Sequence, residues 1–356
     1  MLAVALVLGA GCARSIPPPG GPLDTTPPRV LATSPADSSV NVASAAGVEL
    51  LFSEPMDRPS VRDNLRIYPP PDGVAYRWSG RRLRIEWGDS LAADATVQVF
   101  LSGRARDLRG VALGTPLQLR FATGARLSPG RISGRLRAKT LPFRGVPILL
   151  LPDSLGMRPD TTDAFEPIYQ TETDTSGVYE VGGLPLDRGF TVHAFFDRNG
   201  DSYVDRESDV VVGYGAVVRL TPERSLADSI NLVAVDPRAP AVLTGSIESP
   251  DSTARFLFEA RTAADSTLIA RTERVGPGTI ALRVPAGSYW LLARRTAPVS
   301  RPIRPGEPPP RPIAEWTVAV EGTITVGPEE ERGPIVVTFP ASPGAPGEAP
   351  PPQEEP

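Results

Sequence analysis

VELLFSEPMD (residues 48–57) begins as a strand and ends as a turn. Extended chain alternates its side chains, so Val48, Leu50 and Phe52 share one face while Glu49 and Leu51 share the other. Ser53, Glu54 and Pro55 then stop the strand with turn-forming residues. The same two-residue period recurs nearby. VAYRW (74–78) aligns Val74, Tyr76 and Trp78. RLRIEW (82–87) sets Leu83, Ile85 and Trp87 against Arg82, Arg84 and Glu86. TVQVFL (96–101) aligns Val97, Val99 and Leu101, and LQLRF (117–121) aligns Leu117, Leu119 and Phe121. Short half-buried strands separated by Gly, Pro, Asp and Ser predict a β-sandwich. No helical period of similar strength competes with them.

The pattern continues to the end of the chain. ISGRL (132–136) alternates, and VPILLLP (146–152) is a continuous apolar run suited to a strand covered on both faces. LTGSI, RFLFEA, TIALRV, SYWLLA, WTVAVEG and PIVVTF follow between about 241 and 339. LP…GFTVHA (184–194) and VP…GSYWLLA (284–293) form a weak internal repeat, with Phe190 over Tyr289, Val192 over Leu291 and Ala194 over Ala293. PDSLGMRPDTTDAFEPIY (152–169) lacks periodicity and reads as a long loop. The expected fold class is therefore all-β. The expected organisation is a signal peptide (1–11), a Pro/Gly tether (12–27), sandwiches at 28–125, 129–236 and 240–340, and a disordered Pro-rich acidic tail (341–356).

Composition excludes several functions. The 356 residues suffice for two or three domains, and 42 prolines with 33 glycines suit many turns. The net charge is −4 without any basic block, so no nucleic-acid partner is expected. Cys12 is the only cysteine, which excludes a disulfide framework and any site built from several thiolates. His193 is the only histidine, so a Ser-His-Asp triad would have to use it. Alternation in FTVHAFF places it with Thr191 and Phe195, opposite Phe190, Val192, Ala194 and Phe196, as a partly exposed strand residue.

Three resemblances add to this reading. MLAVALVLGAGC has an apolar run of about ten residues, too short to span a bilayer. With Gly9, Ala10 and Gly11 ahead of Cys12 it resembles a bacterial lipoprotein signal. It departs from that pattern at Gly9, where leucine is usual, and in having no Lys or Arg before the apolar run. The resemblance implies that Cys12 is lipidated and that the membrane is a partner through the anchor. PPRVLATSPADSSVNV, VELLFSEPMD and the later DLRG turn resemble the bacterial Ig-like domain of S-layer-type proteins, with Val111 where Asn usually follows Gly110. In that context Glu54 and Asp57, which could pass for an acid dyad, read as turn chemistry. Gly130, Ile132, Gly134, Leu136, then Thr173, Asp174, Gly177, Tyr179, Val181, Leu184 and Pro185 resemble the carboxypeptidase regulatory-like, transthyretin-type sandwich. That resemblance implies a fold and no activity.

One stretch carries ligand chemistry. DRNGDSYVDRESD (197–209) holds five carboxylates, one amide and one glycine between two strands. Asp197, Asn199, Asp201 and Asp205 stand at positions 1, 3, 5 and 9 of a Ca²⁺-type loop, with the Tyr203 carbonyl at position 7. The pattern breaks where Ser202 replaces glycine at position 6 and Ser208 replaces glutamate at position 12, although Asp209 or Glu207 could close the shell. Two readings stand open, a Ca²⁺ site and a solvated Asx-rich turn. A pair of catalytic carboxylates is a distant third, because no aromatic-lined cleft accompanies it. The matching stretch of the third unit, TAPVSRPIRPGEPPPRP, is basic and lacks Asp, so the sandwich itself does not require acids there.

The expected function is non-enzymatic: a lipid-anchored cell-envelope protein, structural, adhesive or ligand-binding, with envelope proteins or glycans as partners. A glycan-binding accessory module of a polysaccharide-processing or transport system is the alternative. It would need exposed aromatics, whereas Trp78, Trp87, Trp290 and Trp316 sit in alternations that point to the core. A carboxylate hydrolase is the least supported reading.

Overall fold

The computed structural model describes residues 24–45, 47–88, 91–153, 167–200, 208–296, 316–320 and 322–340. The chain divides into two compact units, 1–128 and 129–356.

The first unit contains β1 (Val30–Ser34), β2 (Val48–Phe52), a short helix α1 (Arg58–Asp63), β3 (Leu65–Tyr68), β4 (Ala75–Ser79), β5 (Arg82–Glu86), β6 (Thr96–Leu101) and β7 (Leu117–Ala122). They form two sheets, β1-β2-β5-β4 and β3-β6-β7. Their inner faces meet in one core. Val48, Leu50, Phe52, Leu83 and Ile85 of one sheet pack with Val97, Val99, Leu119 and Phe121 of the other, all fully buried. These are the residues that the two-residue period selects. Outward-facing positions carry the charges. Glu49 on β2 accepts from Arg82 and Arg84 on β5 at 2.8 and 2.9 Å, and Glu86 accepts from Arg77 on β4 at 2.6 Å.

Two features depart from the periodic reading. Thr96, Gln98 and Phe100 are buried as well as their neighbours, so β6 is covered on both faces instead of one. The helix α1 falls outside the strand period. Its start is nonetheless written in Asp57-Arg58-Pro59: the Asp57 carboxylate accepts from the Ser60 N–H at 3.2 Å, and Pro59 falls in the first turn, where no intrahelical donor is needed. At six residues it is too short for the hydrophobic period to show, and only Val61 is buried.

The second unit holds two pairs of sheets. The first pair uses β8 (Gly130–Ala138), β9 (Pro147–Pro152), β10 (Tyr169–Glu172), β11 (Val178–Leu184), β12 (Arg188–Phe196), β13 (Val210–Gly213), β14 (Val218–Leu220), β15 (Leu226–Ala227) and β16 (Leu232–Ala234). The second uses β17 (Ala241–Glu248), β18 (Arg255–Thr262), β19 (Leu268–Val275), β20 (Gly278–Val284), β21 (Gly287–Thr296), β22 (Trp316–Ala319), β23 (Ile324–Val326) and β24 (Glu331–Thr338). Sheets β11-β8-β15 and β10-β9-β12-β13 have the same order as β20-β17-β24 and β19-β18-β21-β22. Even the parallel partners correspond: β15 and β16 lie parallel to β8, as β24 does to β17. Phe190, Val192 and Ala194 on β12 and Tyr289, Leu291 and Ala293 on β21 are buried at equivalent places. The weak sequence repeat thus accompanies a repeat of topology.

Backbone proximity explains several of the motif residues. A Cβ on Gly134 would stand 2.0 Å from the Ile230 carbonyl oxygen, so only glycine lets that chain pass. The Tyr179 hydroxyl donates to the same carbonyl. Asp174 accepts from the Ser176 and Val178 N–H groups at 2.8 and 2.9 Å and closes a turn in which Gly177 has φ +80°. The Ser176 hydroxyl leads the interactions that hold the Asp174 carboxyl below its ordinary pKa, against a smaller opposing effect of burial. Both β9 and β12 are covered on both faces. Thr191 and Phe195 are buried, and His193 is half-buried opposite Gly213.

Within this unit a polar chain joins the two sheet pairs. Glu329, ahead of β24, accepts from the Asp236 N–H at 3.1 Å and from the Thr140 hydroxyl. Asp236 in turn accepts from Arg198 and from the Arg238 N–H. Burial opposes charge on Asp236, but the Arg238 N–H and the Arg198 guanidinium outweigh it and lower its pKa.

Candidate functional site

The loop 197–209 leaves β12 and returns at β13. Its candidate ligands divide. Asp201, Tyr203 and Asp205 lie outside the described residues. Asp197 accepts from the Gly200 N–H at 2.7 Å, an Asx-type turn at the loop's start. Asn199 donates to the Ser208 hydroxyl at 3.4 Å. Asp209 is only 7% exposed and accepts from the Arg198 N–H at 2.9 Å. The two outer carboxylates therefore fasten the ends of the loop to its own backbone. Cys12 also lies outside the described residues.

A second acidic site is formed by residues that are distant in sequence. Asp24, Glu54 and Asp107 each offer one carboxylate oxygen, and these lie within 4.8 Å of one another. Asp24 precedes β1: its carboxylate accepts from the Thr26 N–H at 3.0 Å and stands 3.7 Å from the Arg109 guanidinium. Glu54 follows β2. Asp107 belongs to the turn between β6 and β7, where its Oδ1 accepts from the Arg109 and Val111 N–H groups, both at 2.8 Å. Backbone pairing holds the two loops together, with a bridge between Met56 and Asp107 and a 3.0 Å bond from the Asp57 N–H to the Arg106 carbonyl. Turn chemistry accounts for Asp57 and for half of Asp107, but not for Glu54. No local spacing announces this cluster, because its members are brought together only by the sandwich.

A family model described as a bacterial Ig-like domain matches residues 24–123. Over that stretch the chain is similar to the bacterial Ig-like domain. The match starts at Asp24, the residue that joins the carboxylate cluster. No curated protein matches the sequence. Among solved structures, the Bacillus anthracis TIE protein aligns at 12% identity and a TM-score of 0.22, covering 87% of this chain and 57% of its own. A candidate cell adhesion protein from Bacteroides ovatus aligns at 10% identity and 0.27, covering 61% and 95%. An L,D-transpeptidase from Mycobacterium smegmatis aligns at 16% and 0.22, covering 59% and 100%. At these scores the three superpositions carry no functional argument. The chain spans little more than half the length of the TIE protein.

The tryptophans separate by site. Trp78 and Trp87 pack partly buried against the first core, Trp78 stacked on Phe52 with ring centroids 6.1 Å apart. Trp290 departs from the expected core position: it points away from Tyr289 and Leu291 and is 40% exposed, its indole N–H donating to the Ala263 carbonyl at 3.3 Å. The Trp316 side chain lies outside what the structure describes.

Proposed function

We propose that the chain is a non-enzymatic cell-envelope protein, anchored through a lipid on Cys12, that presents tandem β-sandwiches for structural or adhesive contact with envelope partners. The observation that supports it most is the match of residues 24–123 to a bacterial Ig-like domain. The repeated sheet order of the second unit extends the same all-β plan. We take residues 129–236 and 240–340 as two transthyretin-type sandwiches. No helix among the described residues is long and apolar enough to cross a membrane, and a lipid would supply the attachment instead. A hard cation in the 197–209 loop remains part of this reading, resting on the oxygen spacing of Asp197, Asn199, Asp201 and Asp205.

The test is metabolic labelling with a clickable palmitate analogue followed by fractionation. Wild-type protein should carry label and sediment with membranes, and Cys12→Ala should lose both properties. Unlabelled wild-type protein in the soluble cytoplasm would overturn the proposal. One observation favours the glycan alternative, the exposed indole of Trp290. Binding on a glycan array that Trp290→Ala abolishes would establish it.

A further inference from the structure

We propose that Asp24, Glu54 and Asp107 bind a hard divalent cation, best fitted by Ca²⁺, at the point where the chain enters the first sandwich. The deciding group is Asp107. It is 2% exposed, and while its Oδ1 receives two backbone N–H groups, its Oδ2 is buried with no hydrogen-bond donor. Buried polar atoms are normally paired, and leaving a charged one unpaired is unfavourable. The neighbouring acidic side chains, Asp24 and Glu54, present carboxylates, which accept and do not donate. Three negative groups converging at this distance also repel one another. The guanidinium of Arg109 stands only at the Asp24 edge, at 3.7 Å, and its side chain is largely in solvent. A cation among the three carboxylates answers both problems at once.

The ligand set identifies the class of ion. All three donors are carboxylate oxygens, the hard ligands that suit Ca²⁺ or Mg²⁺. The sole histidine is on β12 and the sole cysteine is Cys12, so neither supplies nitrogen or sulfur here. Ca²⁺ takes about six to eight oxygens in a flexible shell, which suits three carboxylates held by separate loops, whereas Mg²⁺ demands near-ideal octahedral geometry. Waters would complete the shell, as is usual where carboxylates supply only part of it.

The site has a mechanical meaning. Glu54 and Asp107 are fixed by the paired loops after β2 and β6. Asp24 sits on the segment leading in from the N-terminus, ahead of β1. An ion bridging the three would clamp that segment to the end of the sandwich. This inference stands apart from the lipid anchor, since none of its three carboxylates depends on Cys12.

Thermal melting of the full chain in millimolar Ca²⁺ and in chelator tests it. Saturating Ca²⁺ should raise the melting temperature by about 5 °C. Glu54→Gln and Asp24→Asn, both at partly exposed positions, should fold and should each shrink that rise. Asp201→Ala, in the other acidic loop, should leave in place the part of the rise that Glu54→Gln and Asp24→Asn remove. No rise in the wild type, an equal rise in wild type and in both variants, or loss of the rise in Asp201→Ala alone, would overturn the assignment.

Discussion

Gly134 illustrates how a single missing side chain permits a strand to be where it is. The Ile230 carbonyl lies 2.0 Å from where a Cβ would stand, and backbone cannot move aside as a flexible side chain can. Gly134→Ala should therefore destabilise the fold by about 1–3 kcal/mol in urea titration. Gly215→Ala, whose Cβ would meet nothing within 4 Å, should stay within about 0.5 kcal/mol of wild type. Asp57→Ala should cost about 1 kcal/mol by removing the cap of α1. At this scale the sequence was partly readable. Gly134, Tyr179, Asp174 and Gly177 are visible as motif residues, but what makes Gly134 and Tyr179 necessary is a carbonyl supplied by Ile230, 51 positions beyond Tyr179. The turn role of Asp107 was also legible from DLRG. Its second, unpartnered oxygen was not, because local spacing says nothing about Asp24 and Glu54 arriving beside it.

Strands were the most legible elements, since a period of two needs only five or six residues to declare itself. Both faces of β5 follow directly from RLRIE, with Leu83 and Ile85 inside and Arg82 and Arg84 outside. β6 has the sequence of a half-buried strand, because Val97, Val99 and Leu101 alternate with more mixed residues, yet Gln98 is also enclosed. Periodicity reports one buried face and cannot see cover on the other. The outer charges of β2, β4 and β5 give a pH prediction. Hydrogen bonding to Arg82 holds the Glu49 carboxyl below its ordinary pKa, and that to Arg77 does the same for Glu86, in each case against some desolvation. A carboxylate with a depressed folded pKa stabilises the fold above its unfolded value, near about 4.3, and that contribution disappears as pH falls through the folded value. The melting-temperature gap between wild type and Glu49→Gln should thus be small at neutral pH, close on acidification below about pH 4, and shrink in high salt.

On the scale of the molecule, the matching sheet orders of the second unit show that a faint repeat in sequence can mark a full repeat in topology. Only three aligned apolar positions signalled it, because cores conserve a pattern of burial more than residue identity. The polar chain through Glu329, Asp236 and Arg198 makes the junction of the two sheet pairs a defined structure. Glu329→Ala should speed amide exchange at Asp236 and Ala239 while leaving β12 and β18 protected, and unchanged exchange at the junction would refute its role. The claim on which the functional reading depends most concerns the N-terminus. Mass spectrometry of the protein purified from membranes addresses it directly. A mature chain beginning at Cys12, its thiol and amine carrying acyl-bearing groups, is the expected product. A chain that retains the residues before Cys12, or whose Cys12 thiol is unmodified, would show that the protein is not held at the membrane in this way.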